Sequence, residues 1–371
     1  MTDDDLLAQI AAAPDDDAPR AVYADLLLQR GDPRGEFIQL QLEHADSDRE
    51  HELLRAHEAA WNDAAGVRGA GASYQRGFIA SLWGSPATIV ASREALRTQP
   101  IVRLSLEPDG EFAALAGLHE LARVRSLSLR AQRLSPSEFV PLAARDFAAL
   151  ARAPLWGLRV VELAGSAIDD AGAAALATAA WLPGLEQLTM WKCLLRDGYA
   201  ALLPRLAALR TLVVDGASAG ADCVGQIYMT TLRLSALSLK QCRLTPHAGL
   251  VLAAWPSLRH VERLDLQNNE LGDNATAFAV SRHVTELREL LLGSNGIGSA
   301  AGEAFGTSQA LASLDLLALG DNALGLEGIE ALARGRGLPA LRRLVISGNG
   351  VAESREQLAA RFAHRPGLAV S

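Results

Sequence analysis

The sequence predicts an α/β solenoid of about ten strand–helix repeats, preceded by a small all-α N-terminal domain. An eleven-residue pattern of apolar positions recurs from residue 101 onward, and alanine-rich segments that begin with helix-capping residues separate its copies. Residues 1–45 lack the pattern. Self-similarity at this period is typical of a solenoid, because each repeat buries its apolar face only when it is stacked on its neighbours.

The first, fourth and sixth positions of the pattern are aliphatic or methionine in all ten copies. The copies begin at Ile101, Val124, Leu158, Leu185, Leu209, Leu234, Val261, Leu287, Leu314 and Leu341. The later copies follow one another every 24 to 27 residues, whereas the step from Val124 to Leu158 is 34 residues. The alternation predicts a short strand whose inward side chains are buried between neighbouring coils.

The ninth position, where the chain turns inward after the strand, is expected to satisfy backbone groups that the turn leaves unpaired. We therefore predict a structural ladder of turn residues. Its members are Cys193, Cys242, Asn269, Asn295, Asn322 and Asn349. The other four copies have Asp109, Gln132, Ser166 and Ala217 at this position, so the pattern is degenerate in the N-terminal half.

A strand and a helix in about 27 residues resemble the ribonuclease-inhibitor-like subclass of leucine-rich repeats. The resemblance covers residues 96–371 and implies a horseshoe whose strands line a concave face. It is specific for the fold and much less so for function.

The N-terminal segment predicts three helices. The first follows an aspartate-rich start, the second begins at Pro19 and ends at Gly31, and the third begins after Asp32 and runs past Leu42 toward Leu54. The stretches DDAPRAVYAD (16–25) and RGDPRGEFI (30–38) are similar to the repeat-companion domain, a bacterial module of myxobacteria and planctomycetes. The resemblance implies an architecture and no activity: a companion domain over 1–45, a connecting cap over 46–95 and leucine-rich repeats over 96–371.

Composition narrows the functional class. Hydrophobic residues make up 49% of the chain, which excludes a disordered protein. Its net charge of −8 argues against a nucleic-acid binder, and we find no run of about 20 apolar residues that would cross a membrane. The acidic N-terminus is unlike a secretory signal, and three cysteines form no disulfide framework. We therefore expect a cytoplasmic protein.

Catalytic and metal motifs are incomplete. Gly216–Gly220 matches G-x-S-x-G, so a hydrolase using Ser218 with His247 or His260 is an alternative, although the flanking alanines already occupy repeat positions. Two H-E-x-x-H starts, at His51 and His57, have no second histidine. The aspartate runs at 3–5 and 15–17 fit helix capping better than cation binding. We expect no metal, no cofactor and no small-molecule substrate.

The third, fifth and seventh positions of each copy face away from the core and predict a binding surface. Trp191 is the exceptional residue there, because exposed tryptophans are enriched at interface hot spots. The alternative is that Trp191 only covers neighbouring side chains. The candidate partner-binding residues are Trp191, Arg130, Glu162, Asp215, Lys240, Arg263 and Asp265.

These patterns indicate a non-catalytic scaffold that binds a protein through the concave face. One alternative is an inhibitor or immunity-type protein that occludes a basic target enzyme, although the mixed charges of the face weaken it. In another, the companion domain docks a second protein through the turn at 15–20.

Overall fold

The computed structural model describes residues 2–43, 47–107, 111–130, 142–164, 168–217, 220–352 and 354–371. The chain forms two compact units. Unit 1 comprises Met1–Glu162 and Thr178–Gly184, and unit 2 comprises Leu163–Ala177 and Leu185–Ser371.

The described residues form thirteen strands. They are β1 Gly71–Gln75, β2 Phe78–Gly84, β3 Arg103–Leu106, β4 Ser126–Arg130, β5 Val160–Ala164, β6 Gln187–Trp191, β7 Thr211–Asp215, β8 Ala236–Ser238, β9 Arg263–Asp265, β10 Glu289–Leu291, β11 Leu316–Ala318, β12 Arg343–Val345 and β13 Ala369–Val370. Each of the ten copies of the pattern begins two residues before one of the strands β3 to β12. The predicted fold class, an α/β leucine-rich-repeat solenoid, is confirmed.

The helices vary from four to seventeen residues. They are α1 Asp3–Ala12, α2 Ala18–Gln29, α3 Pro33–Glu43, α4 Asp48–Ala64, α5 Pro86–Ala91, α6 Arg93–Thr98, α7 Ala144–Arg152, α8 Asp170–Leu176, α9 Gly198–Leu202, α10 Gly220–Tyr228, α11 Pro246–Ala253, α12 Ala277–Val280, α13 Ala300–Gly306, α14 Gly325–Arg334 and α15 Arg355–Arg361. Short 3₁₀ helices lie at Phe112–Gly117, His119–Arg123, Leu182–Gly184, Leu203–Arg205, Pro256–His260 and Gly272–Thr276.

Strands pair in sequence order within each unit. In unit 1, β1 and β2 form an antiparallel hairpin, and β2, β3 and β4 continue as parallel neighbours. In unit 2, β6 to β13 are parallel. Equivalent positions are in register, so that Leu290 lies between Leu264 and Leu317. All three are fully buried, and each such leucine contributes about 1.5–3 kcal/mol.

Small residues let the helices of adjacent repeats approach closely. A Cβ atom added to Gly302 of α13 would lie 1.9 Å from the carbonyl oxygen of Gly328 in α14. Because two backbones meet there, no other residue fits without moving a helix. The glycine and alanine content of the repeat helices therefore has a packing role.

The asparagines of the turn tie each coil to the one before it. Asn269 Oδ1 accepts hydrogen bonds from the backbone N–H groups of Cys242 (2.9 Å) and Leu244 (3.0 Å). Its Nδ2 donates to the carbonyl oxygens of Leu239 and Leu266, both at 2.8 Å. One buried side chain thus satisfies backbone groups of two successive coils.

The same arrangement continues through the later repeats. Asn322 Oδ1 accepts from the N–H groups of Asn295 (2.9 Å) and Ile297 (3.1 Å). Asn349 accepts from Leu324 N–H at 3.1 Å. These side chains form a continuous line of hydrogen bonds along unit 2.

Two earlier copies have cysteine instead of asparagine at the ninth position, and the contacts of these side chains differ. The Cys242 thiol lies 3.2 Å from the carbonyl oxygen of Val214 and 3.3 Å from that of Lys240, and donates in that direction. The Cys193 sulfur is 3.2 Å from the Tyr199 hydroxyl. A thiol is a weak donor and a weak acceptor, so this part of the line is held more by packing than by hydrogen bonds.

The N-terminal helices are docked on the first repeats of unit 1. The guanidinium of Arg123 donates to the carbonyl oxygens of Ala11 in α1 (3.0 Å) and of Leu96 and Arg97 in α6, the latter at 3.3 Å. Arg125 donates to the Asp15 carboxylate at 2.6 Å. Helix α1 is therefore held by Arg123 at the end of the first repeat, and the turn after it contacts Arg125 at the start of the second.

Two details of the N-terminal region differ from the sequence interpretation. The third helix ends at Glu43 rather than running toward Leu54, and α4 begins at Asp48 with the Ser47 hydroxyl accepting from Glu50 N–H. The connecting segment contributes a hairpin where a single edge strand was expected, so that β1 rather than β2 lies at the edge. The aspartate run at 3–5 caps α1, in which Thr2 and Asp5 bond reciprocally.

Replacing Asn269 with alanine should lower the free energy of unfolding by about 2–4 kcal/mol, since two N–H groups and two carbonyl groups lose their buried partner. Urea denaturation followed by circular dichroism measures the change. Asn274→Ala, in the same unit but outside the ladder, is the control and should cost under about 1 kcal/mol. Equal losses in the two variants would contradict the role given to the ladder.

Candidate functional site

The outward positions of the strands form the surface on which most of the predicted binding residues lie. Along β6 and β7, buried residues alternate with half-buried or exposed ones, as in a sheet with one solvated side. We call the solvated side of β6 to β12 the unit 2 strand face, and that of β2 to β4 with residues 160–162 of β5 the unit 1 strand face.

Trp191 ends β6 on the unit 2 strand face. Its side chain is 37% exposed, and the ammonium of Lys192 lies 5.4 Å from the centroid of its ring. Its register partner on β7 is Asp215. An aromatic ring flanked by charges of both signs offers a partner an apolar contact with polar groups at its border.

Asp215 is the most unusual carboxylate of this face. Burial raises its pKa, the nearby Lys240 ammonium opposes that rise, and Asp265 adds to it. Its Oδ1 atom is buried and has no hydrogen-bond partner in the part of the chain that the structure describes. A buried acceptor without a donor costs free energy, so the position of Asp215 is held at some cost to stability.

Arg263 and Asp265 already have partners within the chain. Arg263 pairs with Glu289 on the adjacent strand, and Arg343 donates to Glu289 at 3.1 Å and to Asp315 at 3.0 Å. These two carboxylates raise the pKa of Arg343. Asp265 Oδ1 accepts from Gln267 N–H at 3.1 Å. The C-terminal part of this face is therefore nearly balanced in charge.

Glu162 lines a hollow on the unit 1 strand face that sequence reasoning missed. The hollow has a volume of about 490 Å³, and its other lining residues are Ser73, Ser81, Leu82, Trp83, Arg103, Leu104, Ser105, Ser126 and Ser128. The small serine side chains form its floor, and the Trp83 side chain forms one wall, with 41% of its surface exposed. The Trp83 ring lies over Gly71, where an added Cβ would be 2.1 Å from it.

The sequence carries a signal that the Trp83 side chain lies on the solvated side of its strand. Ser81 and Trp83 pair with Arg103 and Ser105, which are outward positions of the first copy. The alternation of the repeat thus extends one strand upstream of the pattern, into a segment interpreted only as a connecting cap.

The other predicted residues divide into two groups. Lys240 is close enough to lower the pKa of Asp215, and both lie in unit 2. The side chain of Arg130 lies outside the described residues, as do Ser218 of the hydrolase alternative and the turn residues Asp109, Gln132 and Ser166.

The three cysteines are buried thiols rather than nucleophiles. Burial raises the pKa of Cys193 and Cys223, and it raises that of Cys242 to about 12. A thiol reacts through its thiolate, which this environment suppresses. In the described ranges, no group of three or more histidine, cysteine or acidic residues is arranged to hold a metal ion. None of the helices described is both long and apolar enough to span a bilayer.

Parts of the chain are similar to known proteins. A leucine-rich-repeat family model matches residues 158–177 and 257–275, which overlap the predicted copies that begin at Leu158 and Val261, so the chain carries leucine-rich repeats. The chain is 33% identical over 89 residues to an acidic leucine-rich nuclear phosphoprotein 32-related protein of Caenorhabditis elegans. That alignment covers 24% of this chain and 36% of the relative, about a third of the relative's length. An internalin structure from Listeria monocytogenes is similar at a TM-score of 0.46 and 19% identity, covering 76% of this chain and 69% of the internalin.

The raised thiol pKa values predict that stability falls in alkali. An unfolded cysteine ionises near pH 8.5, while the folded protein keeps its thiols protonated, so the unfolded state binds fewer protons above that pH. The free energy of unfolding should then fall by up to about 1.4 kcal/mol per pH unit for each thiol. Denaturation curves between pH 7.5 and 9.5 measure the slope.

Cys223→Ala is the matched variant for this test, because Cys223 is fully buried. Its slope should be smaller than that of the wild type by the share of one thiol. Identical slopes in the two proteins would contradict a raised pKa at Cys223.

Proposed function

We propose that this leucine-rich-repeat protein is a non-catalytic scaffold that binds a protein partner through the concave strand face. The leucine-rich-repeat fold commonly serves protein–protein interaction and is typically non-catalytic. The observation that carries the proposal is the pair formed by exposed Trp191 and half-buried Asp215 on adjacent strands.

A protein partner fits this pair better than a small molecule does. Hot spots combine a large aromatic side chain with polar groups that pair only in the complex. Here the ring supplies apolar area, and the half-buried Asp215 beside it supplies a negative charge that a lysine or arginine of the partner can approach. Lys240 and Asp265 add charges of both signs around that acceptor, and such a pattern selects between partners more than it raises affinity.

We assign residues 1–45 to a repeat-companion domain of bacterial type, 46–95 to a cap and 96–371 to the repeats. The motif residues quoted above support the first assignment. The hydrogen bond from Arg123 to the carbonyl oxygen of Ala11 supports a companion domain that is held against the first repeats. Three unpaired, buried cysteines are consistent with a cytoplasmic location.

The inhibitor alternative rests on the net charge of −8, which would attract a basic enzyme. The pairing of Arg263 and Arg343 with Glu289 and Asp315 speaks against it, because the charges of that region are largely compensated. If the partner proves to be an enzyme whose activity is lost on binding, the hypothesis of an inhibitor replaces that of a scaffold.

Replacing Trp191 with alanine should weaken partner binding by about 30-fold, the loss of roughly 2 kcal/mol expected of a hot-spot tryptophan. The partner is first captured by a photo-crosslinking residue placed at Thr189 on β6, and affinities are then measured by calorimetry. Crosslinking from Met229, an exposed residue just after α10, is the positional control.

Trp156→Ala removes an exposed tryptophan that lies on no strand, which makes it the matched substitution. Binding unaffected by Trp191→Ala, or weakened as much by Trp156→Ala, would refute the proposed face. Both variants should melt within a few degrees of the wild type, which separates lost binding from lost folding.

A further inference from the structure

A cavity in unit 1 is lined by an unusual concentration of arginines. It has a volume of about 300 Å³ and lies where the turn between α1 and α2 meets the starts of β3 to β5. We call it the arginine cavity. Its charged lining residues are Arg20, Arg76, Arg103, Arg125, Arg159 and Asp15.

The charge of this cavity is opposite to that of the chain. Five guanidinium groups line the cavity with one carboxylate, Asp15, and a second carboxylate, Asp17, lies 3.5 Å from Arg76, so the cavity keeps an excess of positive charge whereas the whole chain has a net charge of −8. Like charges held together in a concave, partly desolvated space repel one another and concentrate a positive potential. A bound anion would relieve that repulsion.

Two of the guanidinium groups are held in place by the backbone of the turn. Arg20 is only 1% exposed and donates to the carbonyl oxygens of Pro14 (2.9 Å) and Asp16. Its Nε is buried and has no hydrogen-bond partner in the described chain, and burial lowers its pKa. Arg76 donates to the carbonyl oxygen of Asp15 at 3.0 Å. The donors are thus oriented before any ligand arrives, which reduces the entropy lost on binding.

Asp15 occupies the position that an external anion would take. Its carboxylate accepts from Arg125 Nη1 at 2.6 Å, and the positive charges of Arg125, Arg76 and Arg20 all lower its pKa. The Asp15 side chain is 73% exposed, however, and exposed ion pairs contribute little stability. A more highly charged anion could therefore displace it.

We propose that the arginine cavity is a binding site for a phosphate group. Guanidinium groups match phosphate oxygens through paired N–H donors, and a doubly charged phosphate can form ion pairs with several arginines at once. The lining contains no aromatic residue on which a nucleobase could stack. The group recognised is thus the phosphate itself, carried either by a free polyphosphate or by a phosphorylated side chain of a protein.

The test uses the whole 371-residue chain and two probes, inorganic tripolyphosphate and a phosphoserine peptide with its unphosphorylated form. Arg103→Gln/Arg125→Gln should weaken binding of the active probe at least tenfold. Arg288→Gln/Arg342→Gln removes the same charge from exposed arginines of unit 2 and should leave affinity unchanged. Asp15→Asn should strengthen binding, because the competing carboxylate is gone.

Either source supports the site, and the probes separate them. Binding of tripolyphosphate alone assigns a free polyphosphate, and binding of the phosphopeptide but not of its unphosphorylated form assigns a protein side chain. Calorimetry that detects neither probe at millimolar concentration overturns the proposal. An equal loss of affinity in Arg288→Gln/Arg342→Gln also overturns it. If Arg103→Gln/Arg125→Gln fails to fold, Asp15→Asn decides the question, and weaker binding by that variant overturns the proposal.

Discussion

The structure depends on the hydrogen bonds that one turn side chain makes to two successive coils. A single strand–helix repeat leaves backbone N–H and C=O groups unpaired where it bends after the strand. Asn269 resolves this by accepting from Cys242 and Leu244 of the preceding coil and donating to the carbonyl of Leu266 in its own. The coil is then stable only beside its neighbour, which makes the fold quasi-one-dimensional.

This constraint explains where the chain is free to carry function. The inward positions and the turn are committed to stacking, and the helices are limited to small residues where they meet, as at Gly302. The side chains on the solvated side of the strands take no part in stacking, in the turn or in helix packing. Trp191, Asp215 and the hollow beside Trp83 all lie there, so their chemistry can change without loss of the fold.

The repeat could be predicted from the sequence because its signal is local and periodic. All ten copies, from Ile101 to Leu341, mark strands. The break between α3 and α4 was missed although Ser47 and Glu50 carry a capping signal. The hairpin strand β1 was missed since Gly71–Gln75 has little apolar character.

The surfaces were harder to predict because they bring distant residues together. Asp15 and Arg125 are 110 positions apart, and Arg123 reaches Ala11 across 112. Nothing in the local pattern of either segment indicates the other. The raised pKa of Asp215 arises from burial, with Lys240 opposing it and Asp265 adding to it, and only the register of the strands brings these two residues of following coils near.

Amide hydrogen exchange tests the dependence on the turn side chains most directly. The N–H groups of Leu244, Ile297 and Leu324, which donate to Asn269, Asn322 and Asn349, should exchange only with global unfolding. Their rates should be about a thousandfold or more below that of the exposed turn residue Gly350. Rates within about tenfold of Gly350 would contradict the account, because the coils would then be held together without these hydrogen bonds.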